Sequence, residues 1–389
     1  MKKTVSILGS TGSIGISTLE IIDKKKNFFK INLLSANKNF KLICRQINKY
    51  KPNYFIINDS TIYKKTKKRF KKNKIKIFND FNKISLKKNE ITISAIPGIA
   101  GLLPTLSMIK ISKKILIANK ESIICGWNLI KKQSEKNNTK IIPVDSEHFS
   151  IKKLIEHHKL EEIKKIYITA SGGPFLNLKL TQIKKAKPKD ALNHPKWKMG
   201  KKVTVDSASM MNKVLEFIEA QKLFNIPKKK LDILINPESL VHSIIELKNG
   251  LTKFIYHDTS MKIPLSNALF DDQIIIEEIF KNKKNKILKK LQNLTFLKPN
   301  KKQFPTLKLI ARSNEYPSTP IIINAANEVL VNQFLDKKIP FLSIFKTIKT
   351  IMNHRNYKQY AIINPNNVDQ IVKVDNWARL ETQKILTKA

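Results

Sequence analysis

The sequence predicts an α/β protein: an N-terminal doubly wound parallel sheet, a central α/β domain and a small C-terminal helical domain. Three observations carry this expectation. Apolar runs alternate with stretches of helical spacing through the first third, as parallel strands do with their crossover helices. A glycine-rich turn joins the first run to the first helix. From about Asn324 onward the strand patterns stop and helical spacing takes over.

Thr4-Val5-Ser6-Ile7-Leu8 is the first strand, apolar on both faces as a buried parallel strand must be. Gly9-Ser10-Thr11-Gly12-Ser13-Ile14-Gly15 follows, and Ile16 to Ile22 has helical spacing. Strand, glycine turn and helix is the context of a dinucleotide fingerprint. The glycines allow close approach to a pyrophosphate, and the helix end offers N–H groups. The spacing is G-x-x-G-x-x-G instead of G-x-G-x-x-G. The second strand, Ile31 to Ala36, ends in Asn37-Lys38-Asn39. An NAD site usually has an acid there for the ribose 2′-hydroxyl, whereas a cation suits the 2′-phosphate of NADPH. The alternative is that lysine is simply abundant in this chain.

Later strands end in equally polar groups. Tyr54 to Ile57 ends at Asn58-Asp59, Glu90 to Ile96 at Pro97-Gly98, and Lys114 to Ala118 at Asn119-Lys120-Glu121-Ser122. Doubly wound sheets bind ligands beyond the carboxyl ends of their strands, where all these groups fall. The last strand of the set, Lys140 to Val144, ends at Asp145-Ser146-Glu147. In an extended chain Asp145 and Glu147 share a face, and two adjacent carboxylates suit a hard divalent cation, Mg2+ or Mn2+. The competing reading is a helix N-terminus, with Asp145 or Ser146 as cap and Glu147 beside the dipole. On these residues alone the cap leads.

The middle third shifts that balance. A strand from Lys165 to Ala170 runs into Ser171-Gly172-Gly173-Pro174, which is either a plain turn or a phosphate cradle. A polar, lysine-rich segment runs to about Lys189, and His194-Pro195-Lys196-Trp197 follows it; Trp197 either packs inside or closes over a ligand. In Val205 to Glu216, Asp206 or Ser207 can cap the following helix. On that helix Asn212, Lys213 and Glu216 share a face by their spacing. They are an ordinary Lys–Glu pair, or a third carboxylate facing a phosphate-binding lysine. With the dinucleotide turn, Glu216 and the Ser207–Lys213 cluster, the metal reading of Asp145 and Glu147 overtakes the cap.

Composition bounds the remaining classes. The chain has 389 residues, 41% hydrophobic, and a formal net charge of +44. Such a charge invites a nucleic-acid reading. The cations are overwhelmingly lysine, however, with Arg only at 45, 69, 312, 355 and 379, and Asn, Ile and Phe are abundant. A/T-rich codons produce that mixture, and arginine poverty argues against base readout. The runs 64–69 and 281–286 read as solvated faces, and no specific nucleic-acid partner is expected. No apolar run is long enough for a membrane helix, and no signal segment is visible, so the expected location is cytoplasmic. Cys44 and Cys125 stand far apart, as buried thiols in a reducing compartment.

The ordered motifs resemble the 1-deoxy-D-xylulose 5-phosphate reductoisomerase family over essentially the whole chain. The matching blocks are ILGSTGSIG (7–15), ANKES (118–122), PVDSEH (143–148), SGGPF (171–175), HPKWKMGKKVTVDSASMMNK (194–213), LEFIEA (215–220), PESLVHS (237–243) and NAANE (324–328). The resemblance implies a homodimeric, NADPH- and divalent-metal-dependent enzyme that rearranges and reduces a phosphorylated sugar. It implies Asp145, Glu147 and Glu216 as metal ligands and catalytic groups, with Lys120 and His194. Substrate contacts would be Lys120, Ser146, Ser171, His194, Ser207, Asn212, Lys213 and Glu216. NADPH contacts would be Thr11, Gly12, Ser13, Ile14, Asn37, Lys38, Asn39, Asn119, Glu121 and Gly200. Trp197 would close a lid spanning 194–199. Asn37, Val214 and Asn236 depart from the family pattern, which commonly has Gly, Gly and His there. None of them removes a metal ligand.

The expected division is a Rossmann-like NADPH-binding domain at 1–148, a catalytic domain at 149–284, a linker at 285–311 and a helical domain at 312–389. Strands are expected at Leu231 to Ile235, Leu240 to Ile245 and Thr252 to Tyr256, in a second sheet that could pair across a dimer. His242 reads as a core or interface histidine.

Overall fold

The computed structural model of the chain describes residues 2–81, 88–197, 199–280 and 293–387. Two compact units divide it. The first comprises Met1–Ser122, Asn128–Phe149 and Met261–Asn285; the second comprises Ile123–Trp127, Ser150–Ser260 and Lys286–Ala389.

The first unit is built on seven strands: β1 (Lys3–Leu8), β2 (Phe29–Ala36), β3 (Tyr54–Ile57), β4 (Lys76–Phe78), β5 (Asn89–Ser94), β6 (Ser112–Ile117) and β7 (Lys140–Pro143). All pair in parallel, in the order β4-β3-β2-β1-β5-β6-β7. The chain moves outward from β1 to β4, returns, and moves outward again from β5 to β7. The order therefore reverses at β1 and β5, where ligand crevices form. Adjacent residues such as Leu33 and Leu34, or Ile56 and Ile57, are 0% exposed, because both faces of the sheet are covered. The connecting helices are α1 (Ser13–Lys24), α2 (Phe40–Tyr50), α3 (Ser60–Arg69), α4 (Leu102–Ile109) and α5 (Lys120–Asn137); α6 (Ser146–Ile155) follows β7. On α3, Lys64, Lys65, Lys67, Lys68 and Arg69 are exposed, the solvated face expected. The second lysine run, 281–286, lies outside the described residues. Strand β4 was not anticipated: it is three residues long and begins with lysine, so it carries little apolar pattern.

The expected assignment of 149–284 to one catalytic domain is corrected by residues 261–280, which pack in the first unit. Leu265, Ala268 and Leu269, on the helix Lys262–Phe270, join the sheet's core cluster. Phe270 meets Phe28 and Phe29 edge-on, with ring centroids 5.7 and 5.1 Å away. The Lys114 ammonium donates to the Ala268 carbonyl at 2.8 Å and pairs with Asp271 at 2.7 Å. Reading along the chain misses this because the contacts are remote in sequence.

The second unit holds a four-stranded sheet of β8 (Ile163–Ala170), β9 (Leu231–Ile235), β10 (Val241–Leu247) and β11 (Thr252–Tyr256), in the order β11-β10-β8-β9. Strand β10 is antiparallel to both neighbours; β8 and β9 are parallel. The helices Lys201–Ala208 and Met211–Phe224 carry the polar cluster of the middle third. The four C-terminal helices, Thr319–Leu335, Ser343–Met352, Tyr357–Ala361 and Val368–Thr387, belong to this same unit. The described part of the expected linker is packed. Phe304, Leu307 and Leu309 are at most 4% exposed, and the 3-10 helix Pro305–Arg312 carries the latter two. The Gln303 side-chain amide donates to the carbonyls of Phe175, Leu176 and Leu178 at 2.9 to 3.0 Å. Polar composition suggested a linker there, but the polar groups serve as stitching.

Candidate functional site

The glycine turn is a tight backbone structure. Gly9 has φ +83°, a left-handed conformation that favours glycine. A Cβ on it would lie 2.6 Å from the Ala95 carbonyl oxygen, so the turn runs against the end of β5. The Gln46 side chain clamps the turn: it accepts from the Ser10 hydroxyl at 2.7 Å and donates to the Ser10 carbonyl at 2.8 Å. Sequence reading did not single out Gln46; the signal was a polar residue on the otherwise apolar inner face of α2. Gly12 is exposed and caps α1, whose first turn contains no acid. The first helical hydrogen bond runs from Ile16 N–H to the Gly12 carbonyl at 2.9 Å. The amides of Ser13, Ile14 and Gly15 therefore precede the helical ladder and give α1 an anion-attracting end. Thr11 is half-buried beside them.

At the end of β2, Asn37, Lys38 and Asn39 are all exposed. The Asn39 side chain also caps α2, accepting from Leu42 N–H at 3.1 Å. At the end of β6, Asn119 is 2% exposed and caps α5, accepting from Ser122 N–H at 2.8 Å. Its amide nitrogen donates to the Gly98 carbonyl at 2.9 Å and also to the Ile96 carbonyl. That side chain thus pins the Pro97-Gly98 turn. Lys120 and Glu121 start α5 and are 9% and 6% exposed. The Lys120 ammonium pairs with Asp145 Oδ2 at 2.7 Å, joining the β6 end to the β7 end.

The extended geometry expected at Asp145-Ser146-Glu147 is corrected. Strand β7 stops at Pro143, which has no N–H for a ladder, and α6 begins at Ser146. Phe149 N–H donates to the Asp145 carbonyl at 2.8 Å, closing the first turn. Asp145 therefore precedes the helix, and Glu147 lies in its first turn, where the dipole favours a carboxylate. The Ser146 hydroxyl donates to Glu147 Oε2 at 2.6 Å.

In the second unit, β8 delivers Ser171 into a turn made by Gly172 (φ +81°) and Gly173 (φ +65°). Ser171 Oγ accepts from Gly173 N–H at 3.1 Å and lies 3.0 Å from His194 Nε2. His194 Nδ1 accepts from the N–H groups of Lys196 and Trp197 at 3.1 and 2.9 Å. An acceptor Nδ1 places the imidazole proton on Nε2, which then donates to Ser171. Ser171 Oγ thus accepts from two donors, so its own proton is not used in either bond. Burial, and then the nearby Lys213 charge, hold the His194 pKa below its ordinary value, so the neutral ring is favoured. Trp197 is half-buried, its ring edge-on to His242 at 6.1 Å; His242 stacks on His257 at 3.7 Å. The buried histidine expected at 242 is thus a wall for the tryptophan. Lys198 lies outside the described residues.

The cap expected at Asp206 or Ser207 is corrected. Both lie inside the helix Lys201–Ala208, and Met210 (φ +61°) caps the next helix. That first helix starts at exposed Gly200. The shared face of Asn212, Lys213 and Glu216 is present: both the Asn212 amide and the Lys213 ammonium donate to the Glu216 carboxylate. Glu216 is 0% exposed and Lys213 5%, so each charge depends on the other. Ser207 and Asn212 are half-buried. Val214 is wholly buried within the helix. Asn236 is a hub: its Oδ1 accepts from the N–H groups of Leu240 and Val241 at 3.0 and 3.1 Å.

Residues 5–126 match the family described as 1-deoxy-D-xylulose 5-phosphate reductoisomerase, and residues 141–224 and 258–381 match its two C-terminal domain descriptions. The chain is 46% identical over 385 residues to a protein of that name from Pelagibacter ubique, covering 97% of this chain and 98% of the relative. It is 39% identical to one from Wolbachia pipientis, covering 99% and 98%. Among solved structures, the reductoisomerase from Zymomonas mobilis in complex with NADPH superimposes with a TM-score of 0.88 at 32% identity, covering 99% of both chains. A second, in complex with NADPH, fosmidomycin and magnesium, gives 0.91 at 30% identity, covering 99% and 98%.

Proposed function

This chain belongs to the 1-deoxy-D-xylulose 5-phosphate reductoisomerase family, and we propose that it converts 1-deoxy-D-xylulose 5-phosphate into 2-C-methyl-D-erythritol 4-phosphate for isoprenoid synthesis. It is an NADP-dependent oxidoreductase that uses a divalent cation. The observation that carries this reading is full-length similarity with the acidic and phosphate-type clusters intact.

The residues present fit both cofactors. For NADPH, the acid-free start of α1 receives the pyrophosphate through Thr11, Gly12, Ser13 and Ile14. Lys38, between Asn37 and Asn39, takes the 2′-phosphate. Asn119, Glu121 and Gly200 complete the cofactor contacts. For the metal, Asp145, Glu147 and Glu216 supply hard carboxylate oxygens, the donors Mg2+ and Mn2+ prefer. Asp145 and Glu216 are already neutralised by Lys120 and Lys213, positive groups that can yield to a cation and turn to substrate. A bound divalent cation supplies Lewis-acid polarisation of the substrate ketone.

The chain's own residues then do the following. Ser171, Ser207, Asn212 and Lys213 hold the phosphate; the Ser171 proton is not used in the bonds from His194 and Gly173. Lys120 and Ser146 orient the reacting carbons beside the carboxylates. Trp197 covers the substrate and excludes water before hydride transfer. Phosphate contacts remote from the reacting carbons provide orientation. A different NADP-dependent dehydrogenase would account for the glycine turn but not for the Ser207–Glu216 cluster. A basic nucleic-acid-binding protein would account for the charge but not for either acidic cluster.

The protein acts as a homodimer joined along β11. That strand pairs only with β10 among the described residues, and it exposes Leu251 and Phe254 at 57% and 45%. Among the described residues no helix is long and apolar enough to cross a membrane. We place the enzyme in the cytoplasm, in keeping with two buried cysteines outside any disulfide. The test is NADPH absorbance with 1-deoxy-D-xylulose 5-phosphate and Mg2+ or Mn2+. Metal-dependent oxidation supports the reading, and its absence sinks it.

A further inference from the structure

Asp206 has no part in the chemistry just described, yet it is 1% exposed and lies near the C-terminal end of the helix Lys201–Ala208. Both features are adverse. A buried carboxylate loses hydration, and a helix C-terminus repels negative charge. Its oxygens are met from two directions. Lys202 Nζ, one turn earlier, pairs with Oδ2 at 3.0 Å. Asn327 Nδ2, from the C-terminal helix Thr319–Leu335, donates to Oδ1 at 2.8 Å. Asn327 is 0% exposed.

What this bond holds is the elbow joining the two helices of the phosphate cluster. Ser207 follows Asp206 directly. Met210 then takes φ +61°, a strained conformation for a side chain of its size. Met210 N–H donates to the Ser207 carbonyl at 3.1 Å, and Lys213 N–H to the Met210 carbonyl at 3.1 Å. Ser209 Oγ accepts from Met211 N–H at 3.2 Å, and Thr306 Oγ1 donates to the Ser209 carbonyl. A Cβ on Gly173 would lie 2.6 Å from the Ser207 carbonyl oxygen, so the Ser171 turn rests on the same elbow. Small shifts at Asp206 thus reach Ser171, Ser207, Asn212 and Lys213 together.

We propose that Asp206 and Asn327 are positioning residues for phosphate recognition: their buried hydrogen bond sets the elbow that presents the phosphate-binding side chains. The inference rests on the assignment of Ser207, Asn212 and Lys213 to the substrate phosphate. It gives the C-terminal helix Thr319–Leu335 a part in substrate affinity, exerted through Asp206.

The test uses the full-length enzyme with inorganic phosphate as a competitive inhibitor. Asn327→Ser deletes the amide that donates to Asp206 and leaves only a shorter hydroxyl, with a small loss of buried volume and no added bulk. Its phosphate Ki and substrate KM should rise roughly tenfold, the scale of one hydrogen bond to a charged group, while the KM for NADPH stays within about twofold. Exchanging the partners, Asp206→Asn with Asn327→Asp, should recover most of the phosphate affinity. An unchanged phosphate Ki in N327S overturns the proposal. So does a parallel loss of phosphate and NADPH affinity, which marks general damage. Should the exchange variant not fold, the N327S comparison decides alone. Ser207→Ala separates this inference from the assignment beneath it. If S207A leaves the phosphate Ki unchanged, the assignment fails; if S207A weakens phosphate and N327S does not, only the positioning role fails.

Discussion

The Lys120 ammonium lies 2.7 Å from the Asp145 carboxylate, an ion pair with side chains only 11% and 18% exposed. It ties the first residue of α5 to the residue before α6, so two strand ends of one sheet share a charge. A divalent cation held by Asp145, as proposed, would compete with that lysine. Lys120→Met should therefore tighten Mn2+ binding by about threefold, the scale of a partly exposed ion pair, while turnover collapses. Mn2+ titration by electron paramagnetic resonance, beside steady-state rates, checks both halves. Unchanged Mn2+ affinity with normal turnover would remove Lys120 from the site.

Glu216 accepts from both Lys213 and Asn212. Glu216→Gln keeps the shape and an acceptor oxygen but loses the charge. Turnover should fall at least about a hundredfold, the scale expected for electrostatic catalytic groups. The uncompensated Lys213 should cost about 3 kcal/mol of stability. Rates normalised to the folded fraction, with a denaturant curve, separate the two effects. Near-normal activity would show that Glu216 is no ligand.

His194 gives a pH prediction of definite sign. Its folded pKa lies below the ordinary value, chiefly through burial and then through Lys213. Folding therefore favours the neutral ring. The stabilisation is fully present above the unfolded pKa of about 6.5, and it is lost as pH falls through the lower folded value. A proton on Nδ1 would also displace the N–H groups of Lys196 and Trp197. Trp197 fluorescence should change in the same acid range, and His194→Asn should abolish that titration. A pH-independent Trp197 signal in the native protein would contradict this.

Gly9→Ala should destabilise the first unit by about 2 kcal/mol or more. The φ of +83° disfavours a Cβ, and that Cβ would meet the Ala95 carbonyl oxygen at 2.6 Å. NADPH binding by fluorescence titration should weaken in step, because the same turn positions the start of α1. A variant with native stability would mean the turn relaxes elsewhere.

The parallel sheet and six of the strands in the first unit were legible because Val5, Ile7, Leu34, Ile57 and Ile93 declare buried strands; the strand order and β4 were not. Glycines and polar residues punctuate their ends. Position along the chain did not reveal that Leu265 and Leu269 return to this sheet, since periodicity carries no information about remote contacts. The carboxylates Asp145, Glu147 and Glu216 could be named from residue type and resemblance. The local geometry at 145–147 could not: the same letters fit an extended strand and a helix start, and Pro143 decided for the helix. Asp206 or Ser207 was read as the cap of the helix that follows, from position alone. The partner of Asp206, Asn327, stands 121 positions away, beyond the reach of any local pattern.

The central claim is that Asp145, Glu147 and Glu216 hold one divalent cation. A crystal structure with Mn2+, using anomalous scattering, tests it most directly. The account predicts a single strong anomalous peak coordinated by oxygens of all three carboxylates, with Lys120 and Lys213 withdrawn from them. A peak elsewhere, or one that persists unchanged in Glu216→Gln, would contradict it.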